Sequence, residues 1–162
     1  MPTIVPYRAD LAWAFADLNR DWIERLFALE DADLKVLRDP QASIVAPGGQ
    51  IFFALDGAEV VGTVAAVRYS ATRFELAKMA VAAGHQGRGI GRILGEAVIA
   101  FAGRRGASTP FLLTKSRLEG AIRLYARLGL QARAAATGNR LRPCGRLHGT
   151  PASGTIAGYV IP

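Results

Sequence analysis

The sequence predicts a mixed α/β domain, a mostly antiparallel central sheet flanked by helices, and three patterns carry that reading. Leu11, Phe15, Leu18, Trp22 and Leu26 recur at spacings of 4, 3, 4 and 4, so they share one helical face. Two apolar runs, Ile51 to Leu55 and Glu59 to Val67, flank Asp56-Gly57, a strong hairpin signal. A third run, Phe74 to Val81, leads into a glycine-rich turn and then into a second helical period.

The remaining elements follow in order. Ile4 to Arg8 reads as a short first strand, and Asp10 offers an N-cap to the helix after it. A second short helix is expected over Asp33 to Arg38, stopped by Asp39-Pro40. Pro47-Gly48-Gly49 marks a turn ahead of the hairpin. Beyond the glycine-rich turn, Ile90, Leu94, Val98 and Phe101 recur at spacings of 4, 4 and 3, and Gly103 or Gly106 ends that helix. Phe111 to Thr114 is short and apolar and reads as a strand. Ala121, Leu124, Tyr125 and Leu128 define a last helix, with Gly129 at a left-handed C-cap.

A chain of 162 residues fits one domain and is long enough to bury a core without disulfides. It is 51% apolar and 20% charged, an ordinary soluble composition. Cys144 is the single cysteine, which rules out an intrachain disulfide and suits a reducing compartment. No basic and apolar leader is visible, and no apolar run approaches the roughly 18 residues of a membrane span. A cytoplasmic protein without a membrane partner is expected. The net charge of +7 favours anionic partners. The basic residues are scattered, without a Lys/Arg block or alternation with aromatics, so no nucleic acid is expected. His85 and His148 show no metal-ligand spacing, and no metal is expected.

The chemistry-bearing segment runs from Met79 to Arg92: a strand, then Gln86-Gly87-Arg88-Gly89-Ile90-Gly91, then a helix start. Open backbone N–H groups and the helix dipole favour an anion there. Glycines remove the Cβ atoms that would hold a phosphate away. The spacing does not fit the dinucleotide fingerprint, because Arg92 and Leu94 stand where the third glycine would be. No Gly-Lys-Ser/Thr closes a P-loop. What remains is Gln86-x-x-Gly89-x-Gly91, which resembles the acyl-CoA signature Q/R-x-x-G-x-G/A of the GNAT family of N-acetyltransferases. The resemblance extends to Gly48-Gly49-Gln50-Ile51-Phe52-Phe53-Ala54, to Glu75-Leu76-Ala77-Lys78-Met79-Ala80-Val81, and to Ala121, Tyr125, Gly129 and Leu130 on the last helix. It covers roughly residues 1 to 130.

This resemblance implies the GNAT fold, with splayed central strands forming an acyl-CoA slot. It implies that the amides of Gln86, Gly87, Arg88, Gly89, Ile90, Gly91 and Arg92 hold the CoA pyrophosphate. Met79, Ala80 and Val81 would pair with the pantetheine arm, with Ser116 as a polar neighbour. Arg88 and Arg92 are natural phosphate partners. The expected reaction is acetyl transfer from acetyl-CoA to the amine of a small molecule, an amino acid or a protein, by direct attack. Tyr125 would be the general acid and Glu75 the general base. Direct attack leaves Cys144 no role as a nucleophile. A domain that binds acyl-CoA with little turnover is the alternative, and the resemblance admits a homodimer.

Residues 1–140 are read as this domain. After Leu130 the pattern fails: residues 131–162 are rich in Ala, Gly, Arg, Pro and Thr, with little periodicity, and the segment 141–162 departs from the family ending. Leu141 to Thr150 can be encoded so that the next frame gives Tyr-Ala-Arg-Ala-Asp-Val-Tyr-Met-Glu, which resembles that ending. We therefore expect a frameshift just before Leu141. Sequencing the gene tests this: the true codons, read one base later, should give that ending, and any other product removes the idea.

Overall fold

A computed structural model describes residues 1–26, 30–107, 111–114, 123–124, 126–129 and 131–134. Its strands are β1 (Thr3–Pro6), β2 (Gln50–Asp56), β3 (Glu59–Arg68), β4 (Phe74–Val81), β5 (Phe111–Thr114) and β6 (Gln131–Ala134). Its helices are α1 (Ala12–Leu26), α2 (Asp31–Arg38) and α3 (Ile90–Arg104). The strands form one sheet in chain order, antiparallel from β1 to β4 and parallel from β4 to β6. This is the fold class expected from the sequence. Among the described residues no helix is long and apolar enough to cross a membrane.

The sheet separates two cores. Phe52, Val64, Phe74, Leu76, Met79 and Val81 meet Ile90, Leu94, Val98 and Phe101 of α3 on one face. On the other, Ile51, Phe53, Ala65, Val67, Ala77 and Ala80 meet Phe15 and Ile23 of α1 and Val36 and Leu37 of α2. Each large apolar side chain so buried is worth about 1.5–3 kcal/mol. The Phe101 ring anchors the α3 side, standing edge-on to Phe74 at 5.5 Å and to Phe52 at 6.0 Å.

Local chemistry explains the boundaries. The β2–β3 hairpin turns on Gly57-Ala58 rather than Asp56-Gly57, because Asp56 still pairs with Glu59. Gly57 takes the positive φ of 61° that a turn of the II′ type needs at its first central position. Asp10 does not cap α1. It lies inside a 3₁₀ turn, Ala9–Leu11, where two bonds from the Arg8 guanidinium hold its carboxyl below the usual carboxylate range. The buried face of α1 centres on Phe15, Asn19 and Ile23, with Leu11 and Leu18 at its margin.

Helix α2 begins two residues earlier than expected. Glu30 caps it and the Asp33 carboxylate accepts the Glu30 N–H at 3.3 Å, closing a capping box. It stops at Asp39-Pro40 as expected, and Asp39 then accepts the Ala42 N–H at 3.0 Å. A π-type turn over Gln41–Val45 follows, which the sequence did not announce. Gly106, not Gly103, ends α3. It has φ 77°, and the Ala107 and Gly106 amides donate to Ala102 and Gly103 at 3.0 Å each, a Schellman closure.

Gly49 joins the π turn to β2. A Cβ on it would stand 2.5 Å from the Ala66 carbonyl oxygen and 2.7 Å from that of Ile44. Both are backbone atoms and cannot swing aside. Gly49→Ala should therefore cost roughly 1–3 kcal/mol, read as a Tm fall of about 3–10 °C. An unchanged Tm would contradict this packing.

Candidate active site

The candidate site begins with β4, whose two edges behave differently. Toward β3 it pairs from Phe74 to Val81. Toward β5 the described residues give a single pair, Glu75 with Phe111, while Leu112 to Thr114 pair with β6. Among the described residues the β4–β5 pairing therefore stops at Glu75, short of Met79, Ala80 and Val81. The resemblance implied strands that splay at this point.

A bulge interrupts the β3–β4 ladder. The register shifts between Thr63 and Ala65, so Lys78 and Met79 together oppose Val64. Lys78 carries it with φ 51°, the only positive φ of a non-glycine among the described residues. The bulge changes which residues share a face. Phe74 and Leu76 lie toward α3, and so do Met79 and Val81. Lys78 is turned to the opposite face, where it is fully buried and its ammonium pairs with the Asp33 carboxylate of α2.

At its C-terminal end β4 passes through a 3₁₀ turn, Ala83–His85, into the glycine-rich turn. The Gln86 side-chain amide donates to the Val81 carbonyl at 3.2 Å and pins the turn to the strand. Gly87 and Gly89 have φ of 76° and 79°, a conformation that L side chains take only under strain. A Cβ at either would meet nothing within 4 Å, so backbone shape, not crowding, calls for glycine. Gly89 is the N-cap of α3, and no side chain caps it. The Arg92 and Ile93 amides turn back to Gly89. No acidic residue lies in the first turn. Arg88 is exposed, and Arg92 is exposed with its guanidinium 3.3 Å from Glu96. Gly91 is buried under Leu124, 3.2 Å from where its Cβ would be. The arrangement is a backbone cradle for an anion at a helix start.

Glu75 forms the described pair between β4 and β5, with Phe111. It lies opposite Val67, hence on the α1 and α2 face, and is fully buried. The hydroxyl of Tyr69, a residue 49% exposed, lies beside its carboxylate. Burial first, then the Glu75 charge and the pull of its oxygens on the phenol proton, raise the Tyr69 phenol well above its usual range. Tyr69 was not singled out in the sequence. It lies in the tight turn closed by the Tyr69 amide on the Arg73 carbonyl at 2.9 Å, and only that turn folds it back beside Glu75. Of the expected site residues, Glu75, Met79, Ala80, Val81 and Gln86 to Arg92 lie along one strand-turn-helix path. Tyr125 and Ser116 lie outside the described residues, as does the segment 141–162.

A family model described as acetyltransferase (GNAT) family matches residues 12–130. The chain belongs to this family. In structure it is similar to an acetyltransferase of the GNAT family from Staphylococcus aureus Mu50, with a TM-score of 0.71, 20% identity, and 78% of this chain and 81% of that one covered. It is also similar to an aminoglycoside 6′-N-acetyltransferase complexed with coenzyme A, with a TM-score of 0.56, 22% identity, and coverage of 68% and 60%. Among curated proteins it is 34% identical over 89 residues to mouse N-acetyltransferase 8, covering 52% of this chain and 39% of that protein. The chain thus spans about two fifths of that relative's length.

The raised Tyr69 phenol has a consequence for stability. The folded protein keeps a proton that the unfolded chain releases above about pH 10. The stability this gives is complete below that pH and is lost as pH rises toward the folded value. Tm measured from about pH 9 to 11 should therefore fall more steeply in the wild type than in Tyr69→Phe. Parallel curves would contradict the buried Tyr69–Glu75 contact.

Proposed function

We propose that the chain is an acetyl-CoA-dependent N-acetyltransferase that passes the acetyl group directly to an amine of a small molecule, an amino acid or a protein. The observation that carries this is the uncapped, glycine-built start of α3 at the end of β4, the strand that also carries buried Glu75. The residues fit the cofactor. Gly87 and Gly89 keep the cradle free of side chains. The amides from Gln86 to Gly91 would hold the pyrophosphate, with the side chains of Arg88 and Arg92 adding positive charge; the Arg92 amide itself already bonds the Gly89 carbonyl. The backbone of Met79, Ala80 and Val81 would pair with the peptide-like pantetheine arm. Ser116 is assigned beside it by the resemblance. The fold it shares with the CoA-bound aminoglycoside enzyme supports the same cofactor.

Acetyl-CoA supplies an activated acetyl group on a sulfur that leaves readily. The protein must bring a neutral amine to it and manage two protons. The nitrogen–carbon bond forms as the carbon–sulfur bond breaks. Glu75 takes the proton shed by the amine, and Tyr125 donates one to the departing sulfur. The proposal takes the enzyme as cytoplasmic, which the single cysteine suits, and as needing no metal for direct acetyl transfer. The same assignment takes residues 1–140 as the catalytic domain and 141–162 as the product of a shifted frame.

Thermal-shift titration with acetyl-CoA, CoA and ATP, followed by CoA release with an amine panel, tests the proposal. At a hundredfold excess over Kd the two CoA species should stabilise the fold by about 2.7 kcal/mol, a Tm rise of roughly 5–10 °C. ATP should give none. A rise without CoA release from any amine would favour a binding domain with little turnover. Glu75→Gln should abolish the acid limb of the pH–rate profile, and an unchanged profile removes Glu75 as base.

A further inference from the structure

The two faces of the sheet differ in polarity. Among the described residues the buried polar side chains are Asn19, Asp33, Thr63, Glu75 and Lys78. All lie on the α1 and α2 side. Asn19 is on α1 and Asp33 on α2, Thr63 pairs with Ala80 and Glu75 with Val67, and Lys78 meets Asp33. The core beneath α3 contains none. The anion cradle belongs to α3, whereas Glu75, the base of the transferase reading, faces α1 and α2.

The Lys78–Asp33 pair is the most costly feature of that face. A fully buried lysine in a left-handed conformation is unfavourable twice over. A buried ion pair adds little net stability compared with a well-packed apolar pair. Its partner is also committed elsewhere. One Asp33 oxygen receives Lys78 and the other accepts the Glu30 amide that starts α2. The other buried side chains of α2 are Val36 and Leu37. The start of the helix is thereby fastened by charge to the bulge that also sets the faces of Met79 and Val81.

Resting on the transferase reading, we propose that Lys78 and Asp33 are positioning residues, which fasten the start of α2 to β4 on the face that carries Glu75, so that acceptor binding depends on the pair and acetyl-CoA binding does not. Neither residue is assigned a contact with a reacting atom. Val36 and Leu37 of α2 pack in the core that holds Val67, the residue opposite Glu75, and Glu75 stands three residues before Lys78 on the same strand.

The test is the double variant Lys78→Met with Asp33→Asn in the full chain. Methionine keeps the length and tolerates the same φ as lysine, and asparagine keeps an oxygen for the Glu30 amide. Both charges of the pair are removed together, so neither partner is left buried and unpaired, and the variant should fold. Three quantities are compared with the wild type: acetyl-CoA Kd by calorimetry, KM and kcat for the best amine of the panel, and amide hydrogen exchange. We expect Kd within about twofold, KM raised at least tenfold, and exchange at least tenfold faster across α2, with β4 and α3 unchanged. Unaltered KM and kcat in the folded variant overturn the proposal. Loss of protection throughout, with Kd lost as well, also overturns it, since the pair would then serve general stability. If the wild type releases CoA with no amine, the transferase reading fails separately. Exchange then decides for the pair: faster exchange confined to α2 upholds the fastening, and equal rates sink it.

Discussion

Strand β4 must satisfy two demands that oppose each other. It needs a full ladder with β3 to stay in the middle of the sheet, and on the transferase reading it must leave β5 early to open a cleft. A regular strand would meet the first demand and would hydrogen-bond β5 along its length as well. The chain has a bulge at Lys78 and, among the described residues, one pair to β5, Glu75 with Phe111. A bulge adds twist to its strand, which helps the edge beyond it turn away from its neighbour. It also swaps faces, so Met79 and Val81 stay under α3 while Lys78 leaves that apolar layer. Without the swap, strict alternation would carry the lysine under α3, where the described core offers no carboxylate.

This division extends through the molecule. The α3 side has only to hold a helix start rigidly at the end of β4, and close apolar packing does that: Gly62 lets Leu94 and Ile90 approach to about van der Waals contact, and Gly91 does the same for Leu124. The other side carries the groups that can exchange protons or bind a cation. Glu75 is held there by Tyr69, whose ring is half exposed, so the buried carboxylate has a polar neighbour leading toward the surface. Placing the charged chemistry on one face spares the other the cost of burying unpaired polar groups.

The sequence made the skeleton legible where a local signal decides the outcome. The period of α3 puts Ile90, Leu94, Val98 and Phe101 in the core because nothing polar interrupts it. The glycine turn is legible for the same reason: a left-handed backbone at Gly87 and Gly89 is written into the residue type. The reading was less accurate where a distant partner decides. Asn19 interrupts the apolar period of α1, yet it is buried because its side-chain amide bonds the Phe15 carbonyl at 2.9 Å. Lys78 reads as a solvated residue until Asp33, 45 positions away, is placed beside it. Tyr69 shows no motif, and only the turn between β3 and β4 brings it to Glu75. Gly49 is informative in retrospect, since two carbonyls from separate segments leave it no room for a side chain.

The cradle at α3 divides its work between backbone and side chains. Amides at a helix start point in fixed directions and keep their partial charge without ordering a flexible chain, so they can set where an anion sits. Arg88 and Arg92 are exposed, and Arg92 already shares its charge with Glu96. Charges so screened add modest binding energy, but with a net charge of +7 they draw a polyanion toward the turn. Geometry at this site therefore belongs to Gly87, Gly89 and the tether from Gln86 to Val81, and attraction belongs to the arginines. The two contributions separate physically because salt weakens long-range attraction far more than it weakens short hydrogen bonds inside the cradle. A substitution that adds a Cβ at Gly89 and one that removes the charge of Arg88 should thus act on different quantities, the first on how long an anion stays and the second on how often it arrives.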